Sequence, residues 1–322
     1  MREAINNFAK QFEYQPVIEN EGALKKKKRL IVIGMGGSHL AGDILASIKP
    51  SLGVIAHRNY GLPEMPEEDL KGSLVVLSSY SGNTEEVLDA YSVAKERSLA
   101  MVVISMGGKL LEMARKDGVP FVQLPDTGIA PRFASGFSLM ALLKIAGEEE
   151  LLESARKLSG SLDVAQYEES GKALAEKLQG RIPLIYASSK NQQLAYNWKI
   201  RLNETGRIPA FYNVFPELNH NELDGFDTRE ATAGLSRNFY FIFLQNMDDD
   251  PRIIKRMTAM KTLLEEKNLP VEILRLEGDN ALHKIFSSII LADWTSYYVA
   301  ANYGIGENDA HLVEKFKKLI EQ

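Results

Sequence analysis

The sequence predicts an α/β protein built from two doubly wound parallel sheets in tandem. Short Val/Ile/Leu runs alternate with segments of helical spacing between residues 29 and 125. The same alternation restarts near residue 182 after a charge-rich helical stretch. Both series open with an apolar strand running into small or hydroxyl-bearing residues, RLIVIGMGGS and IPLIYASSK. Strands of four to eight residues separated by helices describe βαβ units. Runs without polar alternation are what a sheet covered by helices on both faces requires.

The first series reads RLIVIG, the helical GSHLAGDILASI, GVIAHRN, SLVVLSSY, the helical NTEEVLDAYSVAKERS, AMVVISMGG, the helical LLEMARKDG and FVQLP. Residues 134–180 read as a helical bridge punctuated by Gly147 and Gly160. The second series reads IPLIYASS, a helix at about 192–202, IPAFYNVF, NFYFIFLQN, a helix over 251–267, VEILRLEG and a long helix at about 281–301. With 322 residues, 45% hydrophobic and 25% charged, two domains are expected, at residues 1–150 and 151–322. Their shared opening pattern suggests a duplication.

Composition excludes several classes of function. Thirty-eight Lys+Arg against 43 Asp+Glu give a net charge of −5, which provides no cationic field for nucleic acid or anionic lipid. No cysteine is present, so disulfides, thiolate nucleophiles and Cys-ligated metals are excluded. The amino terminus lacks an apolar signal region and no run approaches a membrane span, so a cytoplasmic protein is expected. The lysines at 25–28 read as a solvated entry to the first strand. His39, His57, His220, His283 and His311 are too scattered for a metal site. Asp248-Asp249-Asp250 lacks the spacing of a calcium loop and reads as a solvated turn before Pro251. Neither a metal nor a cofactor is expected.

Two loops carry the first functional signal. Gly34-Met35-Gly36-Gly37-Ser38 lies at a strand-to-helix turn, where backbone N–H groups and a helix N-terminus favour an anion. The dinucleotide fingerprint fails, because His39 replaces its third glycine and His57-Arg58-Asn59 stands where an acid belongs. The P-loop fails too: Gly37 and Gly42 have its spacing but Asp43-Ile44 follows. The second loop, Ser79-Tyr80-Ser81-Gly82-Asn83-Thr84, also joins a strand to a helix. Neighbouring strand ends in such a sheet share one crevice, so Ser38 and these hydroxyls converge on one small anion, for which a phosphate monoester fits. The competing reading is helix capping and turn chemistry by Ser81, Asn83 and Thr84.

Through IGMGGSHLAGD, SSYSGNTEEVLDAY, GIAPRFASGFSL, LNETGRIPAFYNVFPELNHNELDGF and HKIFSSIILADWTSYYVA, the chain resembles the sugar isomerase (SIS) superfamily. Within it, the bifunctional phosphoglucose/phosphomannose isomerases are the nearer match. The resemblance spans almost the whole chain. It implies two SIS-type, flavodoxin-like domains, a homodimer, and metal-free interconversion of an aldose 6-phosphate with fructose 6-phosphate. It also implies phosphate binding at Gly37, Ser38, Ser79, Ser81 and Thr84. Arg132 matches the enediolate-stabilising arginine, Glu204 the proton-transferring base, and His220 and Lys284 the ring-opening groups, with the histidine delivered by the partner subunit. Two departures are Thr205-Gly206-Arg207, where Asn-Ala-Lys is common, and the tail GENDAHLVEKF; neither is expected to touch a catalytic position.

These residue types suit the reaction. A carboxylate at a helix end in a partly dry cleft is a general base, a fixed guanidinium meets a developing enediolate, and an imidazole in a polar loop moves protons near neutral pH. Without the resemblance, a helix-end glutamate and a surface-paired arginine are the ordinary structural alternatives. Of the adjacent His283 and Lys284, Lys284 is assigned to the crevice and His283 to the helix surface. The rivals are a non-catalytic SIS regulator that binds sugar phosphate, and a SIS isomerase for another sugar phosphate.

Overall fold

A computed structural model describes residues 1–227, 229–306 and 312–320. Of the atypical tail at 306–316, residues 307–311 lie outside the described residues, His311 among them. Nine strands, counted among the described residues, form two all-parallel sheets. β1 (Arg29–Ile33), β2 (Ile55–His57), β3 (Ser73–Ser78), β4 (Met101–Ser105) and β5 (Phe121–Gln123) stand in the order β2-β1-β3-β4-β5. β6 (Ile182–Ser188), β7 (Phe211–Phe215), β8 (Phe239–Gln245) and β9 (Val271–Arg275) stand in the order β7-β6-β8-β9.

Strand order reverses at the first strand of both sheets, so each carries a switch point there, beside β1 and β3 and beside β6 and β8. The two halves therefore share a topology, which extends the shared opening motif to four strands. β3 is buried at every residue and β8 at all but its first, as continuous apolar runs between helical layers demand. β7 is shorter than IPAFYNVF suggests. Pro209 has no N–H for a ladder, and Asn203 Nδ2 donates to the Ile208 carbonyl at 3.0 Å, holding that segment as a turn.

The bridge forms the helices Ser135–Ala146, Glu149–Arg156, Leu158–Ser161 and Glu168–Lys177. The position 150–151 falls inside Glu149–Arg156. The last bridge helix packs closely on the long helix Ala281–Asn302: a Cβ on Gly171 would lie 2.5 Å from Trp294 Cβ. One apolar cluster runs through both halves, between residues 5 and 299. No helix among the described residues is long and apolar enough to cross a membrane.

Candidate active site

The two loops meet at the carboxyl ends of β1 and β3. The Tyr80 N–H donates to Ser38 Oγ at 3.0 Å, and Ser78 Oγ donates to the Ser38 carbonyl at 2.8 Å. Ser38 and Ser79 are buried, Thr84 is half-buried and Ser81 is exposed. Ser79 Oγ lies 2.8 Å from Thr84 Oγ1 and accepts from the Gly82 N–H at 3.1 Å, so it shapes the loop from beneath. Gly82 has φ +70°, and a Cβ there would fall 1.8 Å from the Gly107 carbonyl oxygen, so only glycine fits.

Thr84 occupies the N-cap of the helix Glu85–Glu96, yet no side chain caps that helix. The capping interpretation therefore fails for Thr84, whose hydroxyl faces Ser79, and the helix N-terminus stays open to an anion. Arg58, standing where a dinucleotide site would have its acid, instead donates to both oxygens of Asp43, at 2.6 and 2.7 Å.

The first loop abuts the segment that carries Arg132, because a Cβ on Gly37 would lie 2.8 Å from the Arg132 nitrogen. Gln11 fixes this segment: its Nε2 donates to the Phe133 carbonyl at 2.6 Å, and its Oε1 accepts from Gly136 N–H at 3.0 Å and Phe137 N–H at 3.2 Å. Gln11 thus supplies from a distance the cap that Ala134 cannot provide.

Arg132, 11% exposed in its side chain, has Nη1 3.7 Å from Glu204 Oε2, and Glu204 is 42% exposed. Glu204 is the last residue of the helix Gln192–Glu204. Burial holds the Arg132 guanidinium below the ordinary arginine range, and Glu204 and Asp293 pull it back up. Both side chains line one cavity of about 650 Å³ with Thr127, Gly128, Phe137 and Arg207, within the size range of small-ligand sites. The loop hydroxyls do not line it; their connection to it is the Gly37 contact.

His220 and Lys284 stand elsewhere. His220 is exposed in the turn Glu217–His220 and lines no part of the Arg132–Glu204 cavity. Its loop is nevertheless anchored. Leu218 is fully buried, and Glu222 accepts from the Tyr186 hydroxyl and from Asn213 Nδ2.

Lys284 faces a separate cavity of about 140 Å³, where its Nζ pairs with Asp248. The structure thus does not bring Lys284 to the Arg132–Glu204 cavity of its own chain. The solvated-turn reading of the Asp triplet holds for Asp248 and Asp250, which are exposed, and is corrected for Asp249. Asp249 is buried and accepts from Asn191 Nδ2 at 3.1 and 3.2 Å, and burial raises its carboxyl. Asp250 caps the helix Pro251–Glu266 and is pushed down to about 2 by Arg252. His283 is half-buried, 3.3 Å from the Ser161 carbonyl through Nε2.

Sequence reasoning missed three residues around Arg132. Thr205 Oγ1 accepts from Arg132 Nε at 2.7 Å, so the departure at 205–207 does touch a proposed catalytic residue. Arg201 Nη2 donates to the Arg132 carbonyl at 3.1 Å, and its Nε donates to Asp293 Oδ1 at 2.6 Å. Asp293 is the only charged residue between Lys284 and the end of its helix, a signal that a cation must lie opposite. Among the described residues, no group of three or more His, Asp or Glu is placed to hold a metal ion.

Comparison with known proteins agrees with this architecture. The family described as the bacterial phospho-glucose isomerase C-terminal SIS domain matches residues 167–320. A bifunctional phosphoglucose/phosphomannose isomerase of Caldicellulosiruptor bescii is 34% identical over 304 residues, covering 89% of this chain and 87% of that protein. The one from Aquifex aeolicus is 29% identical over 327 residues, covering 99% and 97%. Among solved structures, a glucosamine-6-phosphate deaminase from Thermotoga maritima superposes with a TM-score of 0.68 at 16% identity, covering 94% of this chain and 93% of that one. The shared length with the curated relatives, the tandem parallel sheets and the Arg132–Glu204 cavity together identify the chain as a member of the bifunctional phosphoglucose/phosphomannose isomerase family.

Proposed function

We propose that the protein is a metal-independent aldose–ketose isomerase that interconverts glucose 6-phosphate and mannose 6-phosphate with fructose 6-phosphate through a cis-enediolate. The observation that carries this reading is one cavity holding a carboxylate and a buried guanidinium 3.7 Å apart, linked through the Gly34–Ser38 loop to a hydroxyl-rich loop at an uncapped helix N-terminus. Phosphate binds at Gly37, Ser38, Ser81 and Thr84, with Ser79 shaping the loop. Glu204 takes the C2 proton and returns it to C1, and Arg132 stabilises the enediolate oxygen. C2 becomes planar in the intermediate, so acceptance of both epimers depends on room around C2 and C3, which a cavity of about 650 Å³ supplies.

The functional unit is a homodimer of chains with two SIS domains that divide within the helical bridge. His220 opens the sugar ring in the partner's site, in keeping with its exposure on an anchored loop. Lys284, tied to Asp248, receives no step. The protein acts in the cytoplasm.

A coupled assay of chelator-treated protein tests the reading, with glucose 6-phosphate and mannose 6-phosphate in parallel and glucosamine 6-phosphate as a third substrate. Formation of fructose 6-phosphate from the first two is expected. Binding without turnover would favour a regulator. Turnover of the amino sugar alone would move the substrate class, and loss of activity with chelator would overturn metal independence.

A further inference from the structure

We infer that the buried pair Asp293–Arg201 is a positioning device that fixes Arg132 relative to Glu204, a role that rests on the isomerase reading above. Both side chains are fully buried and their Nε–Oδ1 distance is 2.6 Å. Arg201 is engaged on three sides, by Asp293, by Asn197 Oδ1 at 2.8 Å, and by the Arg132 carbonyl, to which Nη2 donates at 3.1 Å. A planar guanidinium has its donors in a fixed fork, so these three partners determine one another's positions.

The placement links three parts of the chain. Arg132 follows the first sheet, Arg201 lies on the helix Gln192–Glu204, and Asp293 lies on the helix Ala281–Asn302. Glu204 follows Arg201 by three residues on the same helix, so the element that carries the base also grips the arginine. It does so at both ends, because Arg201 binds the Arg132 carbonyl and Thr205 binds its guanidinium at 2.7 Å. Glu204 sits between these two grips.

A buried ion pair is a weak source of stability, since desolvation offsets the attraction and apolar replacements of the pair are often neutral. Burial pushes the Asp293 carboxyl up to about 6, with Arg201 and Arg132 both pulling it down. The pair therefore adds little to stability, and its contact toward the cavity is the one from Arg201 to the Arg132 carbonyl. Geometry is what it contributes, and a misplacement of about 1 Å at such a site lowers turnover roughly a hundredfold.

The test compares wild type, the double variant R201M/D293L, and Arg201→Lys, with fold checked by thermal melting and kcat and KM measured on fructose 6-phosphate. The double variant removes both charges together and is expected to melt within a few degrees of wild type. Its kcat should fall about 30- to 100-fold, with KM changed less than about threefold. Arg201→Lys keeps a charge for Asp293 but loses the fork, and a kcat loss of about tenfold is expected. A folded variant of either kind with kcat within twofold of wild type overturns the inference, as does a loss confined to KM. If the double variant does not fold, Arg201→Lys decides by the same criterion. An inactive wild type instead overturns the functional reading, and this inference with it.

Discussion

Arg132 is shared between two acceptors of unlike character. Its Nε donates to the buried hydroxyl of Thr205 at 2.7 Å, while its Nη1 stands 3.7 Å from the half-exposed carboxylate of Glu204. The short contact fixes the guanidinium plane and the long one leaves the carboxylate available to a substrate. Thr205→Val keeps the shape but removes the acceptor, leaving a buried N–H unsatisfied. Hydrogen bonds to charged groups contribute roughly 1.5 to 3 kcal/mol, so kcat should fall about 10- to 100-fold, and Thr205→Ser should restore most of it. Wild-type kcat in Thr205→Val would show that the guanidinium needs no such support.

Glu204→Gln preserves volume but cannot accept the C2 proton. A loss in kcat of at least about a hundredfold is expected, the lower end of general-base contributions, with the sugar phosphate bound nearly as well. Isothermal titration against fructose 6-phosphate and a single-turnover assay separate the two quantities. Near-normal turnover would remove Glu204 from the mechanism.

The fold was legible because its signals are local. Continuous apolar runs such as SLVVLS announce a strand covered on both faces, and helix lengths followed from periodicity to within two residues at Glu204 and Asn302. The residues around Arg132 were harder, because their partners lie far away in sequence. Thr205 is 73 residues from Arg132, and Arg201 is 92 from Asp293. Only Asp293 left a trace, as a lone acid in an apolar helix. Lys284 has a distant partner too. Its helix follows from periodicity, but its ion pair is with Asp248, 36 residues upstream in an exposed turn.

Replacing both Ser81 and Thr84 with Ala should raise KM far more than it lowers kcat. Contacts to the phosphate are made equally in ground and transition states, so losing them weakens uniform binding. At roughly 1.5 to 3 kcal/mol for each hydrogen bond to a charged group, KM should rise at least about tenfold for the pair. Thr84 also faces Ser79 Oγ at 2.8 Å, so Thr84→Ser, which keeps that hydroxyl, should stay close to wild type. An unchanged KM in the double variant would move the phosphate site elsewhere.

The last prediction concerns sharing of the site between subunits. His220 is exposed on a loop whose flanking Leu218 and Glu222 are anchored, and it lines no part of its own chain's Arg132–Glu204 cavity. If each site takes Glu204 from one chain and His220 from the other, His220→Ala and Glu204→Gln homodimers are both inactive for different reasons. In a randomly mixed population about half of the molecules are heterodimers by simple symmetry. One site of each heterodimer then holds both defects and the other holds neither. One intact site in two, on half of the dimers, restores roughly a quarter of wild-type activity. The measurement is activity after reversible dissociation and mixing, with heterodimers verified by differential tagging. Were both groups drawn from the same chain, every site in the mixture would contain one defect, and verified heterodimers without activity would rule out the shared arrangement.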